Sequence, residues 1–345
     1  MDAIHGRGAA ENPPNRFEKI EFVPDPDDPD APSPKTVFYR DASKSIISTN
    51  DSPDLGFEAS INPYRGCEHG CSYCYARPYH EYLGFSAGLD FETKIMVKED
   101  APELLRAELS KKSWTPKLVA FSGVTDCYQP IERKLLITRR CLNVFAEFRN
   151  PVSVITKNFL VTRDLDVLRE LAEHQCVAVC LSITTLDNDL HHVMEPRTSV
   201  PARRFAAIEA LAKAGIPASV NVAPVIPGLT DHELPSILKA AREAGATGAG
   251  YVMLRLPHGV KDLFEAWIRR HRPNAAEKVL NRVRDVRGGS LNDPSFGSRM
   301  RGEGAFAKTV KQMFDITCRR FGLNVVRDEL STASFRRPDS QLTLF

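Results

Sequence analysis

The chain has 345 residues, 42% of them hydrophobic and 26% charged, with a formal net charge of +2; that is the balance of a globular protein with a sizeable core. No stretch approaches the roughly 20 apolar residues of a membrane-spanning helix. The opening Met1-Asp2-Ala3-Ile4-His5-Gly6 lacks the basic-then-apolar pattern of a secretory signal, so a cytoplasmic protein without a membrane partner is expected.

Residues 1–55 are rich in Pro and Asp, as in Pro24-Asp25-Pro26-Asp27-Asp28-Pro29-Asp30, with little apolar periodicity. Residues 1–60 hold 12 acidic and 6 basic side chains. Such composition buries too little surface to offset chain entropy, so an irregular acidic extension is predicted, part of it draped over the core.

From about residue 57 short apolar runs alternate with amphipathic stretches. Strands are predicted at Phe57–Pro63, Leu118–Phe121, Val152–Thr156, Val177–Ile183, Ala218–Ala223 and Gly250–Leu254. Their near-continuous Val, Ile and Ala content suits strands buried on both faces of a parallel sheet. Helical spacing marks Ile131–Phe148, Asp164–His174, Ala202–Ala214 and His232–Ala244, the last two stopped by Gly215 and Gly245. Six β-then-α units imply right-handed crossovers and a curving sheet that falls short of the eight units of a closed barrel. The expected fold class is α/β, an open partial (β/α)6 barrel over residues 56–257.

Residues 258–345 read as a basic helical segment, with helices near 260–271, 275–286 and 304–321 and a break at Gly288-Gly289-Ser290-Leu291-Asn292-Asp293-Pro294. Between residues 255 and 337 there are 18 Lys/Arg against 9 Asp/Glu. Arg269, Arg270, Arg272, Arg282, Arg284 and Arg287 make a DNA or RNA partner plausible, against the alternative of solvated helix faces.

Of the eight cysteines, Cys67, Cys71 and Cys74 crowd into eight residues, and the other five are scattered. Crowded thiols in a large chain without an export signal point to metal rather than disulfides. The segment Asn62-Pro63-Tyr64-Arg65-Gly66-Cys67-Glu68-His69-Gly70-Cys71-Ser72-Tyr73-Cys74-Tyr75-Ala76 has the spacing C-x3-C-x2-C. Three thiolates from one loop can hold three irons of a cubane and leave the fourth open to a ligand that is not protein. One alternative is structural zinc, with His69 or the Cys176/Cys180 pair completing the set; another is an iron–sulfur electron carrier or sensor. Cys176-Val177-Ala178-Val179-Cys180, however, reads as a buried strand.

C-x3-C-x2-C with Tyr73 before its last cysteine, after a first barrel strand, resembles the signature of the radical S-adenosylmethionine (SAM) superfamily, and within it the branch related to spore photoproduct lyase. The resemblance spans roughly residues 57–255. It implies a 4Fe–4S cluster on Cys67, Cys71 and Cys74, SAM on the open iron, reductive SAM cleavage followed by hydrogen abstraction, and an external one-electron donor, a flavodoxin or ferredoxin. Tyr73 joins the expected cofactor surroundings.

In Phe121-Ser122-Gly123-Val124-Thr125-Asp126-Cys127-Tyr128-Gln129-Pro130 the resemblance implies that Ser122, Thr125 and Asp126 approach the methionine amino group; a turn opening the next helix is the alternative. The branch carries a hydrogen-donating cysteine here, and Gly123 stands at the matching place. Cys127 and Tyr128 are then the candidate hydrogen donors, a plain loop thiol being the alternative for Cys127. Lys157, after the third strand, resembles the residue that pairs with the cofactor carboxylate. Ser182 and Asn221 match positions facing the ribose or methionine part. Arg197, in Met194-Glu195-Pro196-Arg197, is placed to reach a carboxylate. Pro224-Val225-Ile226-Pro227-Gly228-Leu229-Thr230-Asp231 resembles the adenine-contact motif, with Ile226 on the adenine face and Gly228 admitting the backbone.

Overall fold

The computed structural model describes residue 4 and residues 6–17, 35–325 and 329–338. Among the described residues there are ten strands: β1 (Val37–Arg40), β2 (Ile47–Thr49), β3 (Ala59–Ile61), β4 (Tyr64–Arg65), β5 (Lys94–Val97), β6 (Val119–Phe121), β7 (Val152–Thr156), β8 (Val177–Ser182), β9 (Ala218–Val225) and β10 (Gly248–Met253). Seven form one sheet in the order β10-β9-β8-β7-β6-β3-β2. All its pairs are parallel except β2 with β3. The six parallel strands are the six predicted ones, trimmed or extended by a few residues at their ends. The fold is thus the expected partial barrel with a helical C-terminal segment.

Eleven α-helices accompany them among the described residues: α1 (Leu89–Thr93), α2 (Ala101–Ser110), α3 (Glu132–Leu135), α4 (Ile137–Phe148), α5 (Leu165–Glu173), α6 (Asn188–Met194), α7 (Pro201–Lys213), α8 (Leu234–Glu243), α9 (Val260–His271), α10 (Pro273–Asp285) and α11 (Gly304–Phe321). The single helix expected over Ile131–Phe148 is broken at Leu136, whose backbone is left-handed at φ 55°. None is long and apolar enough to cross a membrane.

The stretch 1–55 departs from its irregular reading at two places. β2 adds to the barrel edge beside β3, and β1 joins β5 and β4 in a separate three-stranded sheet. Neither strand alternates clearly in sequence, which is why periodicity missed both. Much of the acidic run, at 18–34, lies outside the described residues.

Each central strand is apolar toward the helices and smaller or more polar toward the barrel interior. Val177, Val179 and Leu181 of β8 share one core with Leu168 and Leu171 of α5 and Ile208 and Leu211 of α7. The opposite face carries Ala178, Cys180 and Ser182, as the two-residue period of a strand requires. Register aligns that inner face in rows: Ile155, Cys180, Ser219 and Gly248 side by side, then Ser182, Asn221 and Gly250 nearer the C-terminal ends. On the outer face Phe145 of α4 packs against Phe121 of β6 at 6.3 Å between ring centroids, fully buried. Phe145→Ala is expected to cost about 3–5 kcal/mol of unfolding free energy, read as a lower urea midpoint with little change in slope.

Candidate cofactor site at the barrel mouth

The cysteine loop leaves β4 and lies across the C-terminal ends of the barrel strands. Its backbone is pinned from three sides. The Cys67 amide donates to Phe91 O at 2.8 Å, the Ser72 amide to Met194 O at 3.0 Å, and the Glu68 amide to the Gln129 side chain at 2.9 Å. Gly70 takes φ 66°, and a Cβ there would stand 2.6 Å from the Glu92 carboxylate. A Cβ on Gly8 would overlap Gly70 O, so the N-terminal segment lies directly on the loop.

Beneath this contact sits a buried clamp. The Arg77 guanidinium donates twice to Cys71 O (3.1 and 2.8 Å), to Ala87 O and Gly88 O, and to Glu92 at 2.5 Å. Glu92 also accepts the Gly8 and Ala9 amides at 3.1 and 2.9 Å. Both side chains are fully buried, so each is the other's charge compensation.

Cys67, Cys71 and Cys74 are free thiols, the first two buried and the third half-buried. Burial pushes all three thiols up from their ordinary range. The charges of Cys74 and Cys71 raise Cys67 further, as does Asp126. Thiolates placed so closely, away from water, call for positive charge among them, which a metal centre supplies. Among the described residues no three His, Cys, Asp or Glu side chains converge as a single-ion site. Three cysteine sulfurs from one loop are a donor set that suits an iron–sulfur cluster with one iron left open, whereas a structural zinc site would call for a fourth protein ligand.

The other zinc ligands considered are engaged elsewhere. His69 faces Asp126 through Nδ1 at 3.4 Å and the Asn158 amide through Nε2 at 3.4 Å. Cys176 opens β8 at the far end of the barrel, its Sγ donating to Arg149 O and His174 O.

The loop after β6 is tied into the scaffold. Ser122, at φ 77°, accepts the Cys127 amide on its Oγ at 2.8 Å. Thr125 Oγ1 donates to Tyr64 O at 2.7 Å. Asp126 accepts from the Tyr128 and Lys157 amides and from Thr156 Oγ1 at 2.8–2.9 Å. Burial would raise the Asp126 carboxyl; His69 and these amides reverse that and hold it below the usual range. These three side chains tie the loop to the scaffold.

Cys127 and Tyr128 do not reach open space. Cys127 lies fully buried in the main core, and the Tyr128 hydroxyl donates to Asp164 at 2.9 Å, also fully buried. A hydrogen donor must touch the substrate radical, so both assignments are corrected to structural ones.

Tyr73 and Lys157 meet. The Lys157 ammonium stands 5.8 Å from the Tyr73 ring centroid and donates to Ala223 O at 3.0 Å. Their common partner is Glu195. The Tyr73 hydroxyl, Thr184 Oγ1 and the Arg204 guanidinium all donate to its carboxylate, and Lys157 lies 3.7 Å away. Arg204 also donates to Ser182 O and Ser199 O at 2.8 and 2.7 Å. Glu195, which sequence reasoning passed over in favour of Arg197, is thus the hub of its tetrapeptide. Arg197 instead pairs with Glu68 at 2.9 Å, and that ion pair corrects its assignment to a cofactor carboxylate.

Ser182 and Asn221 lie side by side on the inner face, and Gly250 leaves room beside Asn221, whose Oδ1 would be 3.3 Å from a Cβ there. Ile226 is fully buried in a second core that includes Cys71, Tyr73 and Leu254. Gly228, at φ 80°, serves the turn: its amide donates to Asp231, and its missing Cβ faces Arg282 and Lys278 of α10 rather than the mouth.

The arginines that meet the barrel strands and their turns are for the most part not the helical ones singled out from sequence. Arg269 is paired with Glu265 and Glu277 on the outside of α9 and α10. Arg287 is buried, donating to Met253 O, Leu254 O and Ser298 O, and burial lowers it to about 10. Arg255, after β10, lies 5.5 Å from the Tyr75 ring; Arg299 pairs with Asp54 at 2.6 Å, and Arg301 donates to Tyr251 O at 2.7 Å. Position at a strand end was the available signal for Arg255; nothing local marked Arg299 or Arg301.

Burial would raise the Glu195 carboxyl, but Arg204, Lys157, His191 and the Tyr73 hydroxyl outweigh it and hold it well below the usual range. A carboxyl depressed in the fold contributes stability that is fully present above its ordinary value of 4.5 and is lost as pH falls. Glu195→Gln is expected to cost about 3–5 kcal/mol at neutral pH by leaving Arg204 unpaired. Its stability should also fall less steeply than the parent's between about pH 5 and about pH 3, followed by urea titration across that range.

Residues 61–241 match the sequence profile of the radical SAM superfamily. An uncharacterized protein of Mycobacterium tuberculosis is 37% identical over 269 residues, covering 77% of this chain and 78% of its own length. A radical SAM Nalpha-GlyT isomerase of Pseudomonas phage M6 is 25% identical over 241 residues, 69% of this chain and 47% of that protein. Among solved structures, spore photoproduct lyase complexed with dinucleoside spore photoproduct superposes with a TM-score of 0.60 at 17% identity, over 84% of this chain and 80% of that one.

Proposed function

Since the chain belongs to the radical SAM superfamily and is therefore an enzyme, we propose that Cys67, Cys71 and Cys74 hold a 4Fe–4S cluster with one iron left for SAM, and that the substrate is a nucleic acid. The observation that carries this reading is the set of three free thiols on one loop, two buried and one half-buried, over the C-terminal mouth of a parallel barrel, where such folds build their sites. When bound, the cluster supplies the single electron that breaks a carbon–sulfur bond of SAM and so yields a 5′-deoxyadenosyl radical.

The protein's residues bind, orient and exclude water. Lys157 is the cation for the SAM carboxylate, held at its distance by Ala223 O and Glu195. Tyr73 closes the site beside it. Ser182 and Asn221 on the inner face take the ribose and methionine part, and the Ser122–Asp126 loop offers backbone carbonyls to the amino group. A flavodoxin or ferredoxin delivers the electron. The nucleic-acid assignment draws on Arg255 after the C-terminal end of β10 and on relatives whose names specify a dinucleoside photoproduct and a GlyT isomerase.

Anaerobically reconstituted protein is expected to carry about four irons per chain and to release 5′-deoxyadenosine from SAM when reduced by dithionite. Cys71→Ala abolishes both; normal iron and activity in that variant would remove the assignment. Lys157→Ala keeps its iron but binds SAM roughly 10–100-fold more weakly, the loss of one charge-assisted hydrogen bond, measured by equilibrium dialysis.

A further inference from the structure

Three tyrosines follow the cysteine loop, and none joins the core. Tyr75, Tyr79 and Tyr82 are 40%, 55% and 68% exposed, and Phe17 of the N-terminal segment is 57% exposed. Tyr79 and Tyr82 lie on the short 3-10 helix Arg77–Leu83, which begins three residues after Cys74. Phe17 stacks on Tyr82 at 5.0 Å with 30° between planes, and Tyr82 lies 6.4 Å from Tyr79. Single exposed rings are ordinary, but Phe17, Tyr82 and Tyr79 in mutual succession, with Tyr75 exposed four residues before Tyr79, mark a binding surface.

The row has a direction. At its inner end the Tyr75 hydroxyl donates to Gly123 O on the loop after β6, at 2.8 Å, and Arg255 stands over the ring. Arg255 also keeps a buried Nε without a hydrogen-bond partner. At the outer end Arg16 lies 5.0 Å over Phe17, fixed by Glu81 at 2.6 Å. Aromatic faces interleaved with guanidinium groups, starting at a catalytic mouth, suit a ligand made of flat rings on an anionic backbone. A lipid surface would call for aliphatic tips, and three of these four rings end in hydroxyls.

We propose that Phe17, Tyr82, Tyr79 and Tyr75 form a stacking platform for a single strand of nucleic acid, leading its bases to the barrel mouth, where Arg255 receives a backbone phosphate. The platform rests on the nucleic-acid reading above and adds to it a strand type and a path. Stacking on exposed rings tolerates any base sequence, so a nonspecific single strand is the expected ligand and a duplex, with its bases hidden, is not.

The test uses the full reconstituted chain and fluorescence anisotropy with labelled oligothymidylate, oligouridylate and a DNA duplex at low salt. Tyr79→Ala/Tyr82→Ala is expected to bind the single strands at least about tenfold more weakly, the low end of the stacking range. Tyr79→Phe/Tyr82→Phe should bind as the parent does. Dithionite-driven 5′-deoxyadenosine release, unchanged in both, reports an intact site, and Tyr82→Ala alone gives an intermediate loss should the double variant fold poorly. The two oligonucleotides decide between DNA and RNA as the strand. Equal binding by parent and alanine variant, or a preference for duplex, overturns the platform while the nucleic-acid reading survives. If the parent binds no oligonucleotide yet still cleaves SAM, both fall. If the alanine variant keeps its binding but is reduced more slowly by flavodoxin, the ridge is the electron donor's dock and the platform is overturned.

Discussion

A carboxylate sealed under the mouth of a barrel sets the terms for everything around it. Glu195 has no exposure, so its charge survives only through groups the fold brings to it. Arg204 comes from α7, Thr184 from the end of β8, Tyr73 from the cysteine loop, and Lys157 from the end of β7. Each of these elements is thereby fixed against the others by one buried point charge. The consequence is pre-organisation: the cation proposed for SAM and the aromatic side chain beside the cysteines are positioned before any cofactor arrives.

The second buried pair does for the loop's outer side what Glu195 does for its inner side. Arg77 reads the Cys71 carbonyl and is neutralised by Glu92, which in turn holds the Gly8 and Ala9 amides. A residue 85 positions away from Glu92 in the chain, Arg7, also donates to its carbonyl. An extension with a composition that favours disorder is thus ordered over residues 6–17 by backbone amides meeting a carboxylate, an interaction that hydrophobic patterning cannot register. Its glycines are the trace it leaves: only a residue without a side chain fits at position 8 against the Gly70 carbonyl.

What the sequence made legible follows the range of the forces involved. Six parallel strands and the helices of the C-terminal segment were readable because their burial imposes local periodicity. The crowding of Cys67, Cys71 and Cys74 was readable because it is a fixed local spacing, and the places of Lys157 and Ser182 because both stand at strand ends. Arg197, Cys127 and Tyr128 misled for one reason: a side chain's type and strand-end position say nothing of the partner that captures it. Glu68 captures Arg197, Asp164 captures the Tyr128 hydroxyl, and the core encloses Cys127. Glu195 was hidden for the converse reason, since its partners are contributed by four separate segments.

The basic excess of the C-terminal third resolves into two populations with different physical duties. On α9 the exposed Arg269 meets Glu265 and Glu277, and such surface pairs contribute little to stability or recognition. The segment after α10 is another matter. Met300 O accepts the Met253 amide, Arg301 and Arg287 donate to β10 and its following residues, and Arg299 crosses to Asp54 between β2 and β3. A barrel of six parallel strands leaves an open side between β10 and β2, and this segment spans it with guanidinium groups rather than with another strand. Closing the gap in this way fixes guanidinium groups along the open side, held by carbonyls of β10 and by the Asp54 carboxylate. The guanidinium groups of this end of the chain that meet the barrel are thus the ones that span its open side, and charge counted along the helices does not distinguish them from Arg269, which is paired on the surface.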